Sequence, residues 1–133
     1  MKQERLASAN ALLQHIASCG RHFFAHKGEV SRLEIDHRGR LWFHDSYTNK
    51  RIYLHTNHAW HGFTEGGTLR GLIVELKEYV MGDRHFLSPG RLGPWPAWLC
   101  EGDLWGYGDA MGRIRETAQT LGLLPVLQQG EQQ

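Results

Sequence analysis

The sequence predicts a single α+β domain in which a four-stranded antiparallel β-meander packs against two or three α-helices. Three observations lead there. Apolar residues recur at helical spacing in three separated segments. Between the first two segments, apolar and polar residues alternate between turns that carry glycine or asparagine. Of the 133 residues, 41% are hydrophobic and 22% charged, a balance that suits a globular chain able to build one core without metal or disulfide staples. Residues 1–127 are expected to form the domain and residues 128–133 a disordered tail.

The first helix is expected over residues 3–19, with Leu6, Ala9, Leu13, Ile16 and Ala17 on one face and Gly20 as its stop. Four strands follow, at about 21–26, 29–36, 40–47 and 51–55. The turns Ala25-His-Lys-Gly-Glu-Val30 and Asp36-His-Arg-Gly-Arg-Leu41 both place glycine where a bulged reversal needs a left-handed residue. A three-residue turn at His37-Arg38-Gly39 pairs Ile35 with Leu41 and Leu33 with Phe43, stacking four apolar side chains on one face. A two-residue turn at Asn49-Lys50 would then pair Tyr47 with Ile52 and Asp45 with Leu54 on that face. The opposite face carries Arg32, Glu34, Trp42, His44, Tyr53 and His55, so one side reads as core and the other as aromatic and polar.

Thr68 is placed to cap a second helix that runs to about Met81, with Leu69, Leu72, Ile73, Leu76 and Val80 inward and Gly82 ending it. Residues 83–104 form a long stretch rich in Gly, Pro and Trp, the kind of loop that covers a ligand or carries function. A third helix is expected from Asp109 to about Leu121, striped by Met111, Ile114, Ala118 and Leu121 and stopped by Gly122.

Charge excludes some classes. A net charge of +1 gives no global field toward nucleic acid or an acidic membrane. Residues 21–55 carry seven Lys/Arg against four Asp/Glu, whereas residues 56–133 carry six against nine. Eleven of the fifteen basic residues are arginine, the side chain suited to stacked and bidentate contacts. No apolar run approaches a membrane span, and the opening Met1-Lys-Gln-Glu-Arg5 lacks the apolar core of a secretory signal, so a cytoplasmic protein without a membrane partner is expected. Cys19, late in a helix, and Cys100, in a loop, allow a disulfide but do not indicate one, and they read as free thiols of a reducing cytoplasm.

The stretch His55-Thr-Asn-His-Ala-Trp-His-Gly-Phe-Thr-Glu-Gly-Gly-Thr-Leu-Arg70 is where binding chemistry concentrates. Gly66, Gly67 and Thr68 open a helix whose first amides can meet an anion, and Arg70 adds a charge. The same residues also suffice for a plain tight turn into a helix, and the spacing matches neither a phosphate-binding loop nor a dinucleotide fold. His55, His58 and His61 offer three imidazoles three residues apart, a metal-ligand type without the companion cysteines or helix that would make the spacing persuasive. The sheet face of Trp42, His44, Tyr53 and His55, joined by Trp60 from the loop, can stack bases or anchor a protein partner. The Trp95–Trp105 region can equally cover that face. Asp45, set among Leu41, Phe43 and Leu54, needs hydrogen-bond partners or a raised pKa.

Further features run through most of residues 20–122: Gly20-Arg-His-Phe-Phe24, Asp45-Ser-Tyr-Thr-Asn-Lys-Arg-Ile-Tyr-Leu-His55, Trp60-His-Gly-Phe63, Gly66-Gly-Thr-Leu-Arg70, Leu92-Gly-Pro94 and Leu104-Trp-Gly-Tyr-Gly108. In these the chain resembles an uncharacterised family of small proteins of prophages, plasmids and integrative elements of proteobacteria. The resemblance implies a mobile-element setting, in which small accessory proteins bind host proteins or nucleic acid and some blunt host defences. It implies no activity. The expectation is therefore a non-enzymatic binding module that needs no cofactor and holds a host or phage protein, or nucleic acid, through Trp42, His44, Tyr53, His55, Trp60, Gly66, Gly67, Thr68 and Arg70. The alternative is a small metal-assisted hydrolase or nuclease using the histidine cluster.

Overall fold

A computed structural model describes residues 1–19, 23–56, 60–93 and 110–126. Its elements, in chain order, are α1 (Lys2–Ala17), β1 (Ala25–His26), β2 (Glu29–Val30), β3 (Arg32–Ile35), β4 (Leu41–Asp45), β5 (Lys50–Tyr53), α2 (Gly67–Met81) and α3 (Ala110–Thr120). The α+β class holds, with three helices among the described residues. Helix α1 is the hub and packs against α2, α3, β2 and β3. Its Ala9, Leu12, Leu13 and Ile16 are fully buried and share one core with Leu33, Leu41 and Phe43 of the sheet and with Leu72, Ile73 and Leu76 of α2. No helix among the described residues is long and apolar enough to cross a membrane.

The four-stranded meander is corrected. The strands form two sheets, a two-stranded β1–β2 ribbon and a three-stranded sheet in the order β3–β4–β5. The expected strand 29–36 breaks at Ser31, which is 2% exposed. Its N–H donates to the Phe24 carbonyl at 2.8 Å, and its hydroxyl donates to Ser46 Oγ at 2.9 Å, so the backbone leaves one ladder and enters another. Phe24 itself has φ 63, a left-handed conformation costly for an aromatic residue. Its fully buried ring, edge-on to Phe43 at 6.1 Å between centroids, and the bond from its N–H to Glu65 Oε1 at 3.2 Å hold it there. The β1–β2 turn is a two-residue loop with positive φ at both Lys27 and Gly28, not a bulged reversal.

The next hairpin follows the expected register, with Ile35 opposite Leu41 and Leu33 opposite Phe43. Gly39, at φ 79, supplies the left-handed residue, and Asp36 N–H closes the loop on the Arg40 carbonyl at 2.9 Å. The β4–β5 register differs by four residues along β5: Asp45 faces Lys50, Phe43 faces Ile52 and Trp42 faces Tyr53. The turn spans four residues rather than two because Asp45 Oδ1 accepts the N–H groups of Tyr47 (2.8 Å) and Thr48 (3.3 Å), and Asn49, at φ 58, closes it onto the Asp45 carbonyl. An even shift preserves which face each side chain takes. Tyr47, expected on the core face, lies in that turn and is 64% exposed.

Sheet edge β3 is closed by a side chain. Asn10 of α1 donates to the Leu33 carbonyl at 2.9 Å and accepts the Leu33 N–H at 2.7 Å, satisfying both outward backbone groups of that residue. Helix α2 ends at Gly82 as expected, where Asp83 N–H reaches the Glu78 carbonyl at 2.8 Å, and α3 is followed by Gly122, where Leu123 N–H reaches the Ala118 carbonyl. Thr68 is not the cap. Gly66 is the N-cap of α2, and no side chain caps that end.

A buried carboxylate on α2 anchors the segment that follows it. Glu75 is 4% exposed and accepts Ser88 N–H (2.8 Å), Ser88 Oγ–H (2.6 Å) and Arg91 Nη2–H (2.8 Å). Burial pushes its carboxyl up, but the bonds from Arg91 and Ser88 outweigh burial and leave it below the usual carboxylate range.

Candidate functional site

The side of the sheet away from the core is built by strand alternation. Leu33, Phe43 and Ile52 point inward, so their neighbours Glu34, Trp42, Arg51 and Tyr53 point out. The register places Trp42 between Glu34 and Tyr53, and His44 between Arg32 and Arg51. The Trp42 and Tyr53 rings lie 5.0 Å apart, tilted by 53°. The Arg51 guanidinium sits 4.5 Å from the Trp42 ring centroid, and Arg40 lies 5.9 Å from Trp42 and 5.7 Å from Tyr53. The half-buried Trp42, Tyr53 and Arg40 and the exposed Arg51 thus form one stack.

Asp36 locks that stack in position. Its Oδ2 accepts the indole N–H of Trp42 and Nε–H of Arg40, each at 2.9 Å, while Oδ1 accepts the Arg38 and Arg40 N–H groups. The Trp42 bond first, then the Arg40 and Arg38 bonds, hold the Asp36 carboxyl well below its ordinary range against the opposing effect of desolvation. Glu34 balances the other arginines, at 2.9 Å from Arg32 and 3.6 Å from Arg51, and lies 3.8 Å from His44 Nδ1.

Both sheet-face histidines are engaged in the fold. His44 Nε2 lies 2.9 Å from Asn49 Oδ1. His55 Nε2 accepts the Leu41 N–H at 3.0 Å, a role open only to the neutral ring. Desolvation, then the nearby Lys77 and Arg40 charges, push the His55 pKa down, the direction that favours this acceptor role.

Trp60 is 7% exposed and belongs to the core, edge-on to Phe63 at 5.4 Å. The Arg70 guanidinium lies 4.4 Å from its ring centroid. Trp60 also lines a groove of 460 Å³ together with Trp42, Arg51, Tyr53, Thr56 and His61. Gly66, Gly67 and Thr68 line a different cavity of 200 Å³ with Phe23, Glu65 and Leu69. Glu65 accepts the Phe24 N–H at 3.2 Å, and burial, then the Asp45 charge, raise its pKa against that bond. The structure therefore brings Trp42, Tyr53 and Trp60 to one groove, links Arg70 to it through the Trp60 ring, and sets the glycine-rich helix start apart.

Asp45 is 1% exposed with every acceptor position occupied. Beyond its bonds to Tyr47 and Thr48, its Oδ2 accepts Thr64 N–H at 3.0 Å and Thr64 Oγ1–H at 2.8 Å, tying the β4–β5 turn to the segment that leads into α2. Among the described residues no group of three His, Cys, Asp or Glu side chains could hold a metal. His58, Asp109, Cys100 and the Trp95–Trp105 region lie outside the described residues. Sequence reasoning missed Arg51, Arg40 and Asp36. The signal for Arg51 was its parity with Tyr53. For Asp36 it was a turn carboxylate six residues before a tryptophan, which only coordinates reveal as a bond.

The chain belongs to the YoqU family, whose model matches residues 1–130. No curated protein and no solved structure matches it.

Proposed function

We propose that this YoqU-family chain is a non-enzymatic accessory protein of a mobile genetic element that holds a host or phage protein on the outer face of its sheet. The observation that carries this reading is the Trp42–Tyr53 pair with Arg51 and Arg40 stacked on it, bordering a 460 Å³ groove. Tryptophan, tyrosine and arginine on a fixed scaffold are the side chains that anchor protein interfaces. The charge balance favours a protein over nucleic acid. Arg32, Arg40 and Arg51 are each matched to Glu34 or Asp36, so phosphates would have to displace existing carboxylates. The mobile-element setting, and with it a counter-defence role, rests on the family resemblance of residues 20–122.

The test is differential capture from bacterial extract with tagged wild type, Trp42→Ala, Arg51→Ala and Tyr47→Ala, with and without nuclease. A protein held by wild type and Tyr47→Ala but lost from the other two, nuclease or not, is expected. Equal capture by all four variants contradicts the reading, and a bound species that nuclease removes moves the function to nucleic acid.

A further inference from the structure

A second concave site lies away from the sheet face and shares no lining residue with its groove. It has a volume of 580 Å³, within the roughly 300–1,000 Å³ of small-molecule sites, and its walls come from residues 84–93, α3 and the 124–125 segment. Phe86, Leu87, Pro89, Leu124 and Pro125 make it apolar. Phe86 is 39% exposed, one of few large apolar side chains in the described residues left open to solvent. The Leu87 N–H donates to the Leu123 carbonyl at 2.8 Å and fixes two of the walls against each other.

The charges around this groove are unequally committed. Arg84 is paired with Glu78 at 3.0 Å, and Arg91, which does not line the groove, with Glu75 at 2.8 Å. Arg115, which lines the groove, makes a single long bond of 3.4 Å to the Leu92 carbonyl and has no carboxylate within ion-pair distance among the described residues. Its path is shaped by Gly93, at φ +86, where a Cβ would lie 2.6 Å from Met111 Sδ and 3.1 Å from Arg115 Nη1. A half-buried guanidinium beside an apolar hollow, with spare donors and no counter-charge among the described residues, suits a carboxylate that can accept two parallel N–H bonds.

We infer that this groove binds a small amphiphilic monocarboxylate, its aromatic or branched aliphatic body against Phe86, Leu87 and Leu124 and its carboxylate on Arg115. One uncommitted cation fits one negative charge; a dianion would leave the second uncompensated, because Arg84 already answers Glu78. The test is a nitrogen-15 amide NMR titration of the full chain with hydrocinnamate and with its neutral amide. Saturable shifts at Leu87, Gly93 and Leu124 are expected, with the carboxylate bound about tenfold more tightly than the amide. Arg115→Gln should abolish that preference and Phe86→Ser should weaken both ligands, while Trp42→Ala changes neither. Equal affinity of wild type for the two ligands, a preference that survives Arg115→Gln, or shifts confined to other regions would overturn the inference.

Discussion

On the inner face of the three-stranded sheet, Leu33, Leu41, Phe43 and Ile52 are at most 4% exposed, and the polar groups beside them are held by dedicated partners. Asn10 clamps Leu33, and Asp45 binds three backbone N–H groups and a hydroxyl. On the outer face, Trp42 and Tyr53 are only half-buried, and the arginines stacked on them are partly in water. The contrast separates two uses of polar chemistry. Inside, each bond satisfies a group that folding has taken from water, so its loss leaves a buried vacancy in the hydrogen-bond network. Outside, the groups have water as an alternative partner, so the arrangement adds little to stability and leaves its surface available to a partner.

The largest separation between the faces should come from Asp45→Ala. It strands the Thr64 and Tyr47 N–H groups and should cost about 3 kcal/mol, read as a lowered urea midpoint with an unchanged slope. Asn10→Ala comes next. Leu33 N–H and C=O lose both partners at an otherwise open sheet edge, at a cost of about 2 kcal/mol in the same assay. Acidification probes the same kind of pin at Glu75. Its carboxyl sits below the ordinary value, so its contribution is complete above that value and fades as pH drops below roughly 4 toward the folded pKa. Glu75→Gln should flatten that part of the stability–pH curve. Arg51→Ala should have the smallest effect, at most about 1 kcal/mol, since its guanidinium side chain is 49% exposed and it loses a cation–π contact and a loose ion pair. A loss as large as that of Asp45→Ala would erase the contrast.

The parts of this molecule legible in sequence are those governed by local periodicity. Helices expected at 3–19 and 109–121 correspond to Lys2–Ala17 and Ala110–Thr120, and the Asp36–Arg40 hairpin keeps its expected register. What escaped depends on contacts between distant residues. The strand break at Ser31 is made by its hydroxyl meeting Ser46 and by a left-handed Phe24 stabilised from residue 65. The β4–β5 turn lengthens because Asp45 organises it, and a two-residue count from Asn49 has no way to register that. Even so, the outer face survived the register error, since a shift of four keeps parity. The helix start differs in its cap, which is Gly66 rather than Thr68, and it lines a cavity with Phe23 and Glu65 rather than the sheet-face groove.

The central claim is that the Trp42–Tyr53 face, and no other surface, receives the macromolecular partner. Titrating nitrogen-15-labelled protein with the captured partner and following the indole N–H resonances tests it directly. The account predicts that the Trp42 signal, released from or tightened on Asp36, shifts or broadens together with the amides of residues 42, 51 and 53, while those of Leu33 and Thr64 stay in place. A Trp42 signal unmoved at saturation, with perturbations gathered around α3 or the β1–β2 ribbon, would contradict it.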